Sequence, residues 1–331
     1  MARQALRRVE VTVRGVDEMG YVQLGGVDQW VTIRGEDLSN PLLICLHGGP
    51  GFPEAWLQRY FNAVLEKSFT IVYWDQRGAG RSFTPGMAKS SMTVEQFISD
   101  LDQLVDFVCR RVGQRKVVLF GHSWGSALGM LYAGRFPEKV SVYVGGAQIG
   151  DWAAAESASY ALTLAEAERS NNRKALNALR TIGPPPYPAS SVFTERTWSQ
   201  RLDGQLGPAM LWNMTRIALS GPEPVLFNLR RTMRGFRFSM DAMWAEVSTL
   251  NLTKLVPTLR MPVFFFLGRR DHWVVPDTSV TYFNALTAPE KTLVWFERSG
   301  HEMFADEPDK FNRTMVDLVR PVASADLRAA A

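Results

Sequence analysis

A serine at position 123 lies between two glycines in the segment GHSWG at 121–125. This G-x-S-x-G pattern falls where a predicted strand meets a predicted helix, which is the context of a nucleophile elbow. In such an elbow the strained backbone exposes the serine hydroxyl, and side chains at the flanking glycines would collide with neighbouring elements. The pattern also occurs by chance, and the alternative is an ordinary strand-to-helix turn. The position between strand and helix favours Ser123 as a nucleophile.

A serine hydroxyl at neutral pH needs a base, which an acid must orient. Among the four histidines, His301 in SGHEMF follows the last predicted strand, where the chain order Ser…Asp…His expects the base. Asp271 in FFFLGRRD follows the carboxyl end of a very apolar strand, where catalytic groups of open α/β sheets gather. Asp151, after the preceding strand, is the alternative acid. We therefore predict Ser123 as nucleophile, His301 as base and Asp271 as acid.

Acyl transfer also needs N–H donors for the developing oxyanion, and the loss of one costs about 10²–10³ in rate. One expected donor is the backbone N–H of Trp124, directly after the nucleophile. The second is Gly49 in the loop HGGPG at 47–51, where glycines let the backbone approach a substrate. A glycine-rich turn after a strand could instead bind phosphate, but the G-x-G-x-x-G and Walker patterns are absent.

The elements that position these residues alternate between strand and helix. Four short apolar runs (PLLICL, FTIVYW, KVVLFG and KVSVYVGG) are typical of buried parallel strands. Between the second and third runs, apolar residues recur at helical spacing from 93 to 112, with Thr93 as N-cap and Gly113 as the stop. This alternation predicts a mostly parallel, doubly wound α/β sheet.

After residue 147 the patterns become helical and remain so to about 255, with a proline-rich break at GPPPYP. The buried-strand signal returns at MPVFFFLG and continues with TLVWF and a last helix near 307–320. We predict one α/β core of residues 1–147 and 256–331, interrupted by an inserted helical cap at 148–255. The tail PVASADLRAAA at 321–331 is expected to fray.

Composition excludes several function classes. The 331 residues carry 37 basic and 33 acidic side chains without a basic block, so no nucleic-acid partner is expected. No signal-peptide pattern and no apolar run of about 18 residues are evident, which argues against a membrane partner. Cys45 and Cys109 lie in apolar segments and indicate a reducing compartment. We expect a soluble cytoplasmic protein, and the oligomeric state stays open.

Taken together, HGGPG, YWDQRGAGRS, GHSWGS, GRRD and SGHE resemble the proline iminopeptidase (prolyl aminopeptidase) family of α/β-hydrolase serine peptidases. The resemblance covers about 16–147 and 256–320. It implies an α/β-hydrolase fold with a helical cap, the triad Ser123, Asp271 and His301, and an oxyanion hole at Gly49 and Trp124. It implies no metal and no organic cofactor.

The cap departs from this family, whose members hold the substrate's free ammonium with cap glutamates, one of them in a W-x-x-W-E stretch. The nearest stretch here is WNMTR at 212–216, which places arginine where the family has glutamate. For each remaining candidate glutamate, a solvated surface position is the alternative. The candidate substrate-binding residues are Glu223, Glu246, Glu302, Arg216 and Trp212.

The residues predict a serine hydrolase that cleaves a peptide or amide bond in small substrates, with release of an N-terminal residue such as proline. An esterase, lactonase or specialised amide hydrolase with the same triad is the first alternative, and Arg216 favours it. A non-catalytic ligand receptor on the same fold is the remote alternative. Such a receptor would have a damaged triad or oxyanion loop, whereas every element is intact in this sequence.

Overall fold

The computed structural model describes residues 7–10, 15–202, 215–217, 219 and 228–330. Within these residues, nine strands form one sheet. The strands are β1 (Arg7–Glu10), β2 (Val16–Leu24), β3 (Val27–Gly35), β4 (Leu42–Leu46), β5 (Thr70–Trp74), β6 (Val117–His122), β7 (Val140–Gly146), β8 (Val263–Gly268) and β9 (Lys291–Phe296).

The strand order is β1-β2-β3-β5-β4-β6-β7-β8-β9, and neighbours from β5 to β9 pair in parallel. The first three strands form an antiparallel extension, and β3 joins it to β5. The predicted mostly parallel α/β sheet is therefore confirmed.

Burial explains why the central strands are so apolar. Every residue of β4, β5, β6 and β8 is buried, as expected where helices cover both faces of a parallel sheet. The strands β4 and β6 are neighbours, with Leu46 opposite Gly121. This register brings the HGGPG loop and the GHSWG turn side by side at the carboxyl edge of the sheet.

Helices flank the sheet and follow most of its strands. They are α1 (Ala55–Asn62), α2 (Val94–Val112), α3 (Trp124–Arg135), α4 (Trp152–Arg169), α5 (Arg173–Ile182), α6 (Ala189–Leu202), α7 (Leu229–Val247), α8 (Leu252–Leu255), α9 (Pro276–Ala285), α10 (Met303–Asp306), α11 (Pro308–Thr314) and α12 (Arg320–Ala330). Helix α2 begins and ends as predicted: the Thr93 side chain accepts a hydrogen bond from the Gln96 amide, and Gly113 has φ 74°.

The described residues between β7 and β8 form helices α4 to α8, in the region predicted as a cap. Trp152 of α4 and Trp244 of α7 are buried, with ring centroids 6.0 Å apart, and Trp152 also lies 6.4 Å from Trp124 of the sheet-side helix α3. A single hydrophobic cluster therefore runs from the sheet into these helices. The division into core and cap stays a prediction.

The expectation of a frayed tail was wrong. A π-helical turn (Met315–Val319) joins α11 to α12, which continues to Ala330. Ala323 is buried, and Asp326 pairs with Lys116 at 2.8 Å. The small side chains of the tail let α12 pack closely against the core, which the sequence pattern did not reveal.

Two further observations concern membrane-spanning helices and the state of the cysteines. No helix among the described residues is long and apolar enough to span a bilayer. Cys45 and Cys109 are both buried and free.

Candidate active site

Ser123 occupies a strained turn between β6 and α3. Its backbone has φ 53° and ψ −118°, a conformation that costs a non-glycine residue on the order of 1–3 kcal/mol. A Cβ at Gly121 would lie 2.3 Å from the Gly125 carbonyl oxygen, and one at Gly125 would lie 2.0 Å from the Leu46 carbonyl oxygen. Both glycines are therefore required for β6, α3 and β4 to pack this closely around the serine.

His301 and Asp271 form a buried hydrogen-bonded pair. Nδ1 of His301 lies 2.9 Å from Oδ2 of Asp271, and both side chains are almost fully buried. The second carboxylate oxygen, Oδ1, accepts hydrogen bonds from the amides of Trp273 at 2.8 Å and Val274 at 3.0 Å. These bonds fix the carboxylate so that it faces the imidazole, which leaves Nε2 of His301 for the substrate side.

The electrostatics of Asp271 favour its ionised form. Burial alone would raise the pKa of this carboxyl group, but His301 and the amides of Val274 and Trp273 outweigh burial and lower the pKa. An ionised Asp271 favours the Nδ1–H tautomer of His301, as the predicted roles of acid and base require.

Two carboxylates hold the loop that carries His301. Asp306 accepts a hydrogen bond from the Gly300 amide at 2.8 Å. Glu307 accepts bonds from the Arg298 amide at 2.9 Å and from the Ser299 hydroxyl at 2.8 Å. The loop after β9 is therefore anchored by residues at the end of α10 and directly after it.

Gly49 and Trp124, the two predicted oxyanion donors, lie near Ser123: Trp124 follows it in the chain, and Gly49 lines the same cavity. The Trp124 N–H is the first of helix α3, where the helix dipole favours negative charge. Gly49 has φ 117°, and a Cβ there would lie 2.5 Å from the Gly51 amide nitrogen. Within the described residues neither N–H donates to a loop or turn carbonyl, and both stay the predicted donors to a substrate oxygen.

The serine and the histidine line one cavity of about 850 Å³, together with Gly49, Trp273 and Glu302. No hydrogen bond joins the Ser123 hydroxyl to His301 among the described residues. Such bonds are often long without substrate and tighten when it binds. The cavity walls are mainly aromatic and aliphatic, and they come from the sheet edge on one side and from α4, α6 and α7 on the other.

Residues 41–308 match the model of the alpha/beta hydrolase fold family. The chain belongs to the α/β-hydrolase family. Over 307 residues this hydrolase is 33% identical to the "Probable aminopeptidase YbaC" of Bacillus subtilis (strain 168). The alignment covers 90% of this chain and 94% of the relative.

Other relatives match over less of the chain or only in fold. The proline iminopeptidase of Neisseria gonorrhoeae is 36% identical over 127 residues, 37% of either chain. The crystal structure of a proline iminopeptidase from Mycobacterium smegmatis superposes with a TM-score of 0.67 at 18% identity, covering 93% of this hydrolase and 99% of that chain. At this identity the structural likeness shows the fold alone.

On the cap side of the hydrolase cavity, two carboxylates share one guanidinium. Arg196 of α6 pairs with Glu156 of α4 and with its own neighbour Glu195, and all three are largely buried. Tyr187 donates a hydrogen bond to Glu156 at 2.9 Å, and burial raises the pKa of Glu156 although Arg196 opposes this shift. Arg196 is thus held by carboxylates and does not turn the cavity basic.

The sequence-predicted substrate residues lie in different places. Glu302 lines the cavity directly after His301. Glu246 is exposed and accepts a hydrogen bond from the Val94 amide at 3.1 Å, so it caps α2 and does not line the cavity. Arg216 is exposed and is not among the described lining residues. Trp212 and Glu223 lie outside the described residues.

The alternative acid, Asp151, is used elsewhere. Its side chain accepts hydrogen bonds from the Ala154 amide at 3.2 Å, as the N-cap of α4, and from the Asn251 side chain at 2.6 Å. The structure therefore brings Asp271, and not Asp151, to His301.

Sequence reasoning did not single out four charged residues of this cavity: Glu54, Glu156, Arg196 and Asp306. Glu156 stands among alanines and serines at a buried position of α4, which is a weak signal of a functional charge. Glu54 and Arg196 have no recognisable motif, because their partners lie 68 and 40 residues away along the chain.

Proposed function

We propose that this α/β hydrolase is a serine aminopeptidase that releases the N-terminal residue of small peptides or amides through an acyl-enzyme. One observation carries the proposal: the carboxylate of Glu302 lines the same cavity as Ser123 and directly follows the base His301. An acidic group in the same cavity as a nucleophile, with no hydrogen-bond donor among the described residues, suits a substrate that has an ammonium next to its reactive carbonyl.

In the proposed reaction Ser123 Oγ attacks the substrate carbonyl carbon while His301 Nε2 takes the hydroxyl proton. The N–H groups of Gly49 and Trp124 stabilise the oxyanion of the tetrahedral intermediate. His301 then gives its proton to the leaving amine, and the C–N bond breaks to leave an ester on Ser123. Water, deprotonated by His301, hydrolyses this ester and frees the N-terminal residue. Asp271 orients the imidazole throughout.

Glu302 would bind the substrate's ammonium group. Within the described residues its carboxylate accepts no hydrogen bond. Burial raises its pKa, as do Asp306 and Asp271, while His301 and His122 lower it. A carboxylate in this situation gains from a cationic partner, which would restore the ionised form. Because Arg196 is paired with Glu156 and Glu195, its positive charge does not offset the negative charge that an ionised Glu302 brings to the cavity.

The relatives support this choice of chemistry. The full-length relative is named a probable aminopeptidase, and the shorter matches are named proline iminopeptidases. We extend the proposal to proline as one accepted N-terminal residue. The helices at 148–255 would act as a cap that limits substrates to short chains, and the two buried free cysteines support a reducing compartment such as the cytoplasm.

A second candidate is an esterase or a specialised amide hydrolase with the same triad. The specific observation in its favour is the largely apolar cavity wall, which includes Trp152, Trp244, Phe193 and Phe236. Such a wall also accepts an uncharged acyl group. Arg216 also favours this candidate, because it stands where the resemblance to proline iminopeptidases implies the glutamate of W-x-x-W-E.

The test compares two substrates on the purified protein. We expect turnover of prolyl p-nitroanilide, with kcat lost in the Ser123→Ala variant. p-Nitrophenyl acetate, which has no ammonium, serves as the ester reference and should also depend on Ser123. Rapid ester hydrolysis without any release from free aminoacyl anilides would overturn the aminopeptidase proposal and select the esterase.

A further inference from the structure

A second buried carboxylate–imidazole pair lies next to the triad and takes no part in the reaction proposed above. His122, the residue before Ser123, places Nδ1 2.7 Å from Oε1 of Glu54, which precedes helix α1. The two side chains are only 2% and 4% exposed. Burial of two charged groups is costly, so such a pair needs either a structural or a functional explanation.

Both ring nitrogens of His122 face oxygen acceptors. Nδ1 faces Glu54, and Nε2 lies 2.9 Å from the backbone carbonyl oxygen of His301. A neutral imidazole has only one N–H, so only the imidazolium can donate both hydrogen bonds. Burial would lower the pKa of His122, but Glu54 outweighs it and the pKa is raised to about 9. The ring is thus a cation at neutral pH.

Glu54 continues the connection to the other side of the site. Its Oε1 also accepts the backbone N–H of Gly48 at 2.8 Å, and its Oε2 accepts the Gln58 side chain at 3.2 Å. Gly48 directly precedes Gly49, whose N–H is the second oxyanion donor. A Cβ at Gly48 would lie 2.9 Å from Oε1 of Glu54, so glycine is needed for this close approach.

The hydrogen bonds form one path that runs from the Gly48 N–H to Glu54, to His122 and to the carbonyl of His301. We propose that Glu54 and His122 are positioning residues that hold the oxyanion loop and the backbone of the base in register with Ser123. The inference rests on the proposed function, because it assumes that Ser123 is the nucleophile and Gly49 an oxyanion donor.

The expected size of the effect follows from the geometry that acyl transfer requires. Catalytic groups must be held within about 0.5 Å of their productive positions, and supporting hydrogen bonds secure this. At metal sites, loss of a residue that orients a ligand costs about 10–100-fold in activity, and we expect a loss of the same order here. Neither side chain contacts the reacting atoms in this proposal. The loss of activity should therefore appear as a lower kcat, with KM nearly unchanged.

The experiment uses diisopropyl fluorophosphate, which probes the nucleophile, base and oxyanion hole whatever the natural substrate is. Ser123 Oγ forms a bond to phosphorus, the P–F bond breaks, fluoride leaves, and His301 accepts the serine proton. The rate of this reaction is measured for the wild type, Glu54→Gln and His122→Gln, together with kcat and KM for p-nitrophenyl acetate.

Glu18→Gln is the matched control. Glu18 is also a buried glutamate, 3% exposed and paired with Arg111, but it lies on β2 near the edge of the sheet. We expect the two site variants to lose about 10–100-fold in the rate of serine phosphorylation by this reagent and in kcat, while Glu18→Gln loses thermal stability alone.

Equal rates of Ser123 phosphorylation in Glu54→Gln and Glu18→Gln would overturn the proposal. His122→Gln, which can still donate a hydrogen bond, repeats the test if Glu54→Gln does not fold; failure of both to fold would make the pair purely structural and the proposal wrong. A wild-type protein that reacts at Ser123 but releases no N-terminal residue would contradict the aminopeptidase function without touching this inference.

Discussion

The two walls of the cavity are built in different ways. The sheet-side wall takes its groups from loops at the carboxyl ends of strands β4, β6, β8 and β9, where a hydrogen bond joins Asp271 to His301. The other wall takes its groups from helices α4, α6 and α7, and holds them through one shared guanidinium and aromatic packing. In the proposed function the first wall carries out the reaction, and the second wall together with Glu302 selects the substrate.

Removal of the nucleophile should have the largest effect and leave substrate binding intact. We expect Ser123→Ala to lower kcat by about 10⁴–10⁶-fold for every substrate, because no other group can form the acyl-enzyme. The thermal midpoint should stay near the wild-type value, since alanine fits the space of serine. Ser157→Ala, at an exposed position of α4, is the control. Activity retained in Ser123→Ala would mean that the elbow is not catalytic.

Neutralisation of the triad acid should come next. Asp271→Asn keeps the shape of the site but no longer favours the Nδ1–H tautomer, so kcat should fall about 10³–10⁴-fold. Asp151→Asn is the informative comparison, because Asp151 caps α4 and bonds Asn251. We expect it to cost little stability and little activity, because asparagine caps a helix about as well as aspartate. The reverse order of kcat losses would assign the acid to Asp151.

A smaller and more selective effect is expected where the two walls meet. Glu302→Gln removes the charge that would bind the substrate's ammonium, a charge-assisted interaction of about 1.5–3 kcal/mol. The kcat/KM for prolyl p-nitroanilide should therefore fall about 10–100-fold, whereas that for p-nitrophenyl acetate should hardly change. Glu297→Gln, on the exposed end of the sheet and paired with Arg269, is the control. Equal losses on both substrates would show that Glu302 supports the triad and does not select the amine.

The smallest effect concerns the pH dependence of stability on the sheet side. The pKa of His122 is raised to about 9 in the folded protein, so its contribution to stability is full below about 6.5 and is lost as the pH rises through about 9. Asp271 acts in the opposite range, because its lowered pKa contributes stability above about 4 that is lost in acid. The decline in thermal midpoint between about pH 6 and pH 10 should be smaller in His122→Gln than in the wild type. Identical declines would show that His122 does not titrate there.

The difference between the two walls also explains which features of the fold and the site the sequence could predict. The triad and the two oxyanion donors stand in short local motifs, GHSWG, HGGPG, GRRD and SGHE, and parallel strands need only adjacent register to bring such motifs together. The alternation of apolar runs predicted the sheet for the same reason. These features depend on residues close in sequence.

Three charged groups of the cavity, Glu156 and Arg196 in the helices between β7 and β8 and Glu54 before α1, depend on long-range packing and could not be predicted. Arg196 reaches Glu156 across 40 residues, and Glu54 reaches His122 across 68. No spacing rule connects such partners. Glu246 looked like a candidate amine ligand from its residue type alone, and only the packing of α7 beside α2 shows that it caps a helix. The buried contacts of Ala323 in α12 were equally hidden.

The most direct test of the account is the choice between free and blocked N-termini. The wild-type protein is incubated with a short proline-initiated peptide and with its N-acetylated form, and the released residue is identified by mass spectrometry. We predict that proline is released from the free peptide and that the acetylated peptide stays intact. Release from both peptides, or cleavage of the acetylated form alone, would contradict the claim that an acidic group beside Ser123 selects a free N-terminal amine.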